Sequence, residues 1–258
     1  MTASRWTAIT GASSGIGAEM ARLVAARGSS ILLVARRAER LAALKAEIVR
    51  SAPAIEVETL TLDLEESDAP ERLFAELDAR RILLHTLVNN AGFGLRGGFA
   101  TLPAADQANM VQLNVAALTR LCRLALPGLM ERRRGGIINL ASTASFQAIP
   151  YMAVYAATKA YVLSLSEALH EEARPHGVVV TAFCPGPTAT EFTARADMEK
   201  SKLFERAMDA ATVARLGLDG YEAGRAIVVA GAANRVGATI AQLAPRTLVR
   251  RAAGWLQG

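Results

Sequence analysis

Tyr155 and Lys159 stand four residues apart in a segment of helical periodicity, so their side chains fall on one face, one turn apart. An ammonium beside a phenol favours the phenolate. The spacing therefore predicts a tyrosine pKa drawn below its free value of about 10, toward the range where a proton exchanges with a carbonyl or alcohol. Such a pair alone is structural more often than catalytic. Ser142 shifts the balance, because it closes the apolar run Ile137 to Ala141 at the end where open parallel sheets bind ligands. Two hydroxyls and a cation brought together suit proton transfer to an oxygen on which negative charge builds, as when a carbonyl accepts hydride.

A second constellation lies near the N-terminus. The run Thr10-Gly11-Ala12-Ser13-Ser14-Gly15-Ile16-Gly17 follows an apolar segment and opens a helical one. Its glycines allow a tight turn and close approach of backbone to a pyrophosphate, whose charge the N–H groups of the next helix favour. The spacing is G-x-x-x-G-x-G, weak evidence alone and much stronger between strand and helix. The next apolar segment ends Val34-Ala35-Arg36-Arg37, where a dinucleotide site of this kind reads the adenosine ribose. An acid would repel a 2′-phosphate, whereas arginines supply donors to it. The expected cofactor is NADP, with at least Arg36 on the phosphate; the competing reading leaves Arg36 and Arg37 as solvated residues of the next helix.

These groups need a scaffold. With 258 residues, 52% apolar, 21% charged and 9 prolines, the chain buries a large core and is read as one domain. Short apolar runs alternate with amphipathic ones, the pattern of a doubly wound parallel α/β sheet. Seven strands are expected at 6–10, 30–35, 57–62, 86–89, 136–141, 178–184 and 226–230. Helices are expected on both faces, at 16–27, 37–50, 69–79, 103–133, 152–174 and 211–222. The Arg132-Arg133-Arg134 run ends a long helix, where cations suit the dipole, and the glycines after it are expected to supply the left-handed cap.

Cys122 and Cys184 show no disulfide or metal spacing and suit a reducing compartment, and no apolar run approaches the roughly 18 residues of a membrane span. A cytoplasmic protein is expected. Lys and Arg total 29 against 24 acids, and residues 223–258 hold Arg225, Arg235, Arg246, Arg250, Arg251 and no acid, so the whole surplus is C-terminal. Nucleic-acid binding is disfavoured, since aromatics make up only 5% of the chain. His85, His170 and His176 lack paired metal spacing, and the sequence around Ser142 is not a hydrolase G-x-S-x-G elbow.

Taken together, Thr10 to Gly17, Asn89-Asn90-Ala91-Gly92, Asn114, Ser142, Tyr155-x-x-x-Lys159 and Pro185-Gly186 resemble the classical short-chain dehydrogenase/reductase family over about residues 5–192. The resemblance implies a Rossmann-type fold. It implies Tyr155 as general acid or base, Ser142 on the substrate oxygen, Lys159 on the nicotinamide ribose, and Asn114 supporting a water that links Lys159 to solvent. It further implies cofactor contacts at Gly11, Ser13, Ser14, Gly15, Ile16, Gly17, Arg36, Arg37 and Asp63, the last on adenine. Asn89 to Gly92 would close over the cofactor through Asn90, Ala91 and Gly92, with Pro185, Gly186, Thr188 and Thr190 at the nicotinamide. Ser14 stands where NADP-preferring members often carry a basic residue, which leaves the phosphate to Arg36, with Arg37 and the serine hydroxyls.

By the same resemblance, Phe93, Phe146, Met152, Phe192 and Met198 line an apolar substrate pocket under a helical lid at 192–216. An apolar ketone, aldehyde or secondary alcohol is the expected substrate, with a 3-oxoacyl thioester reductase or a non-catalytic NADP-binding regulator as rivals. Family members are commonly dimers or tetramers. The tail at 231–258 is expected to form two amphipathic helices split by Pro245, with Val236, Ile240, Leu243, Leu248, Val249, Trp255 and Leu256 against the domain or a second subunit. The alternative for the tail is an anionic membrane or lipid contact.

Overall fold

Seven strands pair in parallel in the order β3-β2-β1-β4-β5-β6-β9, in a computed structural model that describes residues 5–191 and 207–257. They are β1 (Trp6–Thr10), β2 (Ser30–Ala35), β3 (Val57–Thr61), β4 (Leu84–Asn89), β5 (Gly136–Leu140), β6 (Val179–Cys184) and β9 (Ile227–Val229). Between them run α1 (Gly15–Ala26), α2 (Ala38–Ser51), α3 (Ala69–Ala79), α4 (Ala104–Val111), α5 (Leu118–Arg132), α6 (Ala153–Ala173) and α7 (Ala210–Glu222). Strands buried on both faces read as near-continuous apolar runs. In β2, Leu32 and Val34 join the core under α3, α5 and α6, while Ile31 and Leu33 join the core under α1, α2 and α7. The order reverses between β1 and β4, which opens a crevice at their carboxyl ends.

Several local features depart from the expectation. The run at 103–133 is α4 and α5 joined by a π-helical stretch, Gln112–Ala117, that carries Asn114. By length and hydropathy this rod could cross a bilayer, but Met110, Leu113, Leu118, Leu121 and Leu129 are buried in the core. Its left-handed cap is Arg133, at φ +52°, and not a glycine. Gly135 follows at φ +88°, where a Cβ would lie 2.0 Å from the His85 carbonyl oxygen, so glycine is required there for space as well as conformation. A short ribbon not expected from the sequence pairs β7 (Thr188–Ala189) with β8 (Met208–Asp209).

Of the expected lid at 192–216, residues 192–206, with Phe192 and Met198, lie outside the described residues. The remainder is not a lid: Val213 and Ala214 of α7 are fully buried in the core. The chain closes with α8 (Ala232–Leu243) and α9 (Arg246–Gln257), separated by Ala244 and Pro245.

Candidate active site

The glycine-rich turn is built around close approaches. Asn90 donates its side-chain amide to the Thr10 and Gly11 carbonyls at 2.9 and 3.1 Å, and the Asn90 and Ala91 amides donate to the Thr10 hydroxyl at 3.0 Å each. A Cβ at Gly17 would lie 2.5 Å from both the Gly11 oxygen and Asn90 Nδ2. Gly11 and Gly15 sit at φ +64° and +55°, conformations that glycine adopts without steric cost. Ser14 caps α1 without bonding its first amides, so these donors face the crevice, as an anion site requires.

Behind β2 the two arginines part. Arg36 reaches Glu65 at 3.0 Å and Asp63 at 3.5 Å. Arg37 donates to the Ser13 hydroxyl at 3.1 and 3.0 Å and to the Ser14 hydroxyl at 2.7 Å, and it pairs with Glu191 at 2.8 Å. Glu191 also pairs with Arg40. These two arginines hold the Glu191 carboxyl down at about 2. Arg37 is thus the guanidinium bonded to the serines of the glycine turn, while Arg36 is paired with two acids. Asp63 accepts from the Glu65 amide at 3.0 Å and lines the same crevice.

At the other end, Ser142 caps the 3-10 turn Thr143–Phe146 in a reciprocal box with Ser145, and the Ser145 hydroxyl donates to the Lys159 carbonyl at 2.8 Å. A serine three residues after Ser142 is a cap signal that the sequence reading overlooked. The Tyr155 and Ser142 side chains border the same cavity. Lys159 donates through Nζ to the Leu140 carbonyl at 2.6 Å and lies 5.9 Å from the centre of the Tyr155 ring. Burial pushes Tyr155 up to about 12, partly offset by the Ser142 side chain, and pushes Lys159 down to about 8. The expected depression of the tyrosine pKa by the lysine is corrected: desolvation outweighs an ammonium at that distance.

Asn114 clamps the neighbouring turn. Its side chain accepts from Phe93 N at 3.1 Å and donates to Phe93 O at 2.9 Å and to the Thr158 hydroxyl at 3.1 Å. A Cβ on Gly92 would lie 2.9 Å from Asn114 Oδ1 and 3.6 Å from Lys159 Nζ. Asn89 belongs elsewhere: it donates to the Asn139 side chain at 2.8 Å inside the core, with Cys122 beside it.

One cavity of about 1040 Å³ joins the glycine turn to Ser142, Tyr155 and Lys159. Ile16, Asn90, Ala91, Gly92, Pro185, Gly186, Thr188 and Thr190 also border it. Phe93 and Met152 line it as expected, but Phe146 does not, since it packs against the core; Leu113, Ile149 and Gln147 line it instead. Gly237, Ala238, Ala241 and Ala253 of the tail form a further wall. Among the described residues no cluster of three or more His, Cys, Asp or Glu is placed to hold a metal ion.

Comparison with known proteins gives a family model described as short chain dehydrogenase, matched over residues 5–201. The very-long-chain 3-oxoacyl-CoA reductase of Bos taurus is 32% identical over 190 residues, 72% of this chain and 60% of that protein, so the chain spans well under the relative's full length. A short-chain dehydrogenase from Sphingobium yanoikuyae in complex with NADPH superposes with a TM-score of 0.84 at 34% identity, covering 91% of both chains. The bulky-bulky ketone specific alcohol dehydrogenase of Comamonas testosteroni gives 0.79 at 28% identity over 92% of both. A short chain dehydrogenase/reductase from Burkholderia phymatum in complex with NAD gives 0.80 at 26% identity over 92% of both.

Proposed function

The chain belongs to the short-chain dehydrogenase family of oxidoreductases, and from that premise we propose that it is an NADP(H)-dependent enzyme that interconverts an apolar ketone or aldehyde with its alcohol. The observation that carries this reading is that Ser142, Tyr155 and Lys159 line one cavity with the glycine turn. A dinucleotide fits that cavity: Gly11 and Gly17 let the turn close on Asn90 and on itself at distances that no Cβ allows, and α1 offers amide donors that Ser14 does not cap, beside Arg37, Ser13 and Ser14. In this reading Gly11 to Gly17, Arg37, Asp63 and Asn90 to Gly92 hold the adenosine and phosphate part, while Lys159, Pro185, Gly186, Thr188 and Thr190 hold the nicotinamide part. When bound, the nucleotide supplies or accepts the hydride.

The chain's own residues manage the proton. Tyr155, with a pKa near 12, carries its phenolic proton throughout the neutral range and gives it to the substrate oxygen as that oxygen gains negative charge. Ser142 donates a hydrogen bond to the same oxygen, and the Lys159 ammonium, charged below about 8, stabilises the phenolate left behind. Asn114 is a positioning residue, fixing Phe93 and Thr158 so that Gly92 and Lys159 keep their places.

A second reading, reduction of a 3-oxoacyl thioester, is favoured by the names of the curated relatives and by the apolar cavity. The cytoplasm as location, and a homodimer or homotetramer as working form, are proposed with it; two buried free thiols and exposed Val111 and Tyr161 support them. The test is NADPH oxidation against a panel of bulky ketones, aldehydes and 3-oxoacyl thioesters. Turnover of ketones alone supports the first reading and turnover of thioesters the second. Tight NADPH binding with no turnover of any of them would make the protein a nucleotide-binding regulator.

A further inference from the structure

Helices α8 and α9 each carry two faces with different tasks. Inward, Gly237, Ala238 and Ala241 of α8 and Ala253 of α9 wall the cavity, and Gly254 packs on Pro150. Asn234 donates to the Ala230 carbonyl at 2.7 Å and abuts Gly186, which ties α8 to the loop after β6. Small residues let the helices approach the site closely.

Outward, the pattern reverses. Val236, Ile240 and Leu243, spaced four and three apart on one stripe of α8, are all exposed, Leu243 at 82%. Leu248 and Trp255, seven apart on α9, are exposed too, the tryptophan at 82%. Exposed apolar side chains grouped in this way mark an interaction surface. Arg235, Arg246, Arg250 and Arg251 are exposed on the same two helices, and no acid occurs from residue 223 to the end.

We propose that the α8–α9 pair is a docking surface for an anionic lipid bilayer, lying in the interface with its leucines and Trp255 in the acyl boundary and its arginines among the head groups. This goes beyond the proposed reaction and does not depend on it. Charge decides between a bilayer and a second copy of the chain. A two-fold contact places the same patch on both sides, so four arginines would meet four with no acid on either helix to neutralise them. An anionic membrane accepts both the apolar stripe and the cations. Tryptophan and arginine suit that depth, since each has an apolar body and a polar end. Because the inner faces wall the cavity, such docking would set the site directly above the bilayer.

The test uses the full-length protein and sedimentation with vesicles of phosphatidylcholine, with and without phosphatidylglycerol. Trp6 is buried and Trp255 exposed, so a lipid-dependent fluorescence change reports on the tail. Expected are binding to the anionic vesicles, at least about tenfold weaker binding to phosphatidylcholine alone or at high salt, and quenching of Trp255 by brominated lipid. The triple variant Arg246→Glu/Arg250→Glu/Arg251→Glu should lose sedimentation while keeping NADPH binding. Should that variant fail to fold, brominated-lipid quenching of the unaltered protein decides. Absence of both sedimentation and quenching with anionic vesicles would overturn the proposal. A Trp255 shift that grows with protein concentration and does not respond to lipid would overturn it in favour of a second copy.

Discussion

Arg37 donates to the hydroxyl of Ser14 at 2.7 Å, so the second of the two arginines behind β2 is the one fastened to the glycine turn. The first is engaged with Glu65 and Asp63. Arg37→Ala should therefore lower the ratio of kcat/KM for NADPH over NADH by about ten- to a hundredfold, the value of a charge-assisted phosphate contact. Arg36→Ala should lower it less. Steady-state kinetics with both nucleotides checks this, and a larger effect at Arg36 would return the phosphate to the first arginine.

Glu191 holds Arg37 at 2.8 Å and also binds Arg40, so a 2′-phosphate must compete with a carboxylate for the same guanidinium. All three side chains are about half exposed, which limits the pairing to a modest contribution. Glu191→Gln is expected to tighten NADPH binding up to about fivefold and leave NADH unchanged. Titration of nucleotide fluorescence measures both, and equal tightening of the two would show that the carboxylate does not compete with the phosphate.

Much of this site was legible because local rules and the fold agree there. The strand at 6–10, the glycine turn and the helix after it are consecutive in sequence, and the Tyr155–Lys159 spacing is fixed by one helical turn. What was not legible depends on long-range competition. Whether Arg36 or Arg37 turns toward Ser14 is decided by Asp63, Glu65 and Glu191, from 26 to 155 residues away along the chain. The π-helical stretch at Asn114 has ordinary helical composition, and only the packing of Phe93 and Thr158 around its side chain distinguishes it. Similarly, the tail's small residues carry no pattern that marks them as a cavity wall; the wall exists because α8 rests on Gly186.

Lys159 gives a pH dependence of stability. Burial lowers it from 10.5 to about 8, so between these values the unfolded chain holds a proton that the folded chain has released. Stability then rises with pH through that window, and below about 8 the full desolvation cost, on the order of 3 kcal/mol, is present. Lys159→Met removes this dependence, so the Tm of the native protein relative to the variant should climb from pH 8 to pH 10.5. A gap constant across that range would mean that the lysine is not desolvated.

Tyr155 holds its proton up to about 12, which separates the two directions of the reaction. Reduction needs the protonated phenol, so its rate should stay flat across neutral pH, whereas alcohol oxidation needs the phenolate and should rise with pH. Tyr155→Phe removes the proton donor and leaves the nucleotide cradle intact, so turnover should fall by about a hundredfold or more while NADPH affinity stays within about twofold. Ser142→Ala should reduce kcat by a similar order, because it removes a donor to the charged oxygen, and should also raise the Tyr155 pKa by deleting the hydroxyl that lowers it. In that variant the alkaline rise of the oxidation rate should move to higher pH. A rise that stays in place would mean that Ser142 does not act on the tyrosine, and a loss below tenfold in Tyr155→Phe would remove the phenol from the chemistry.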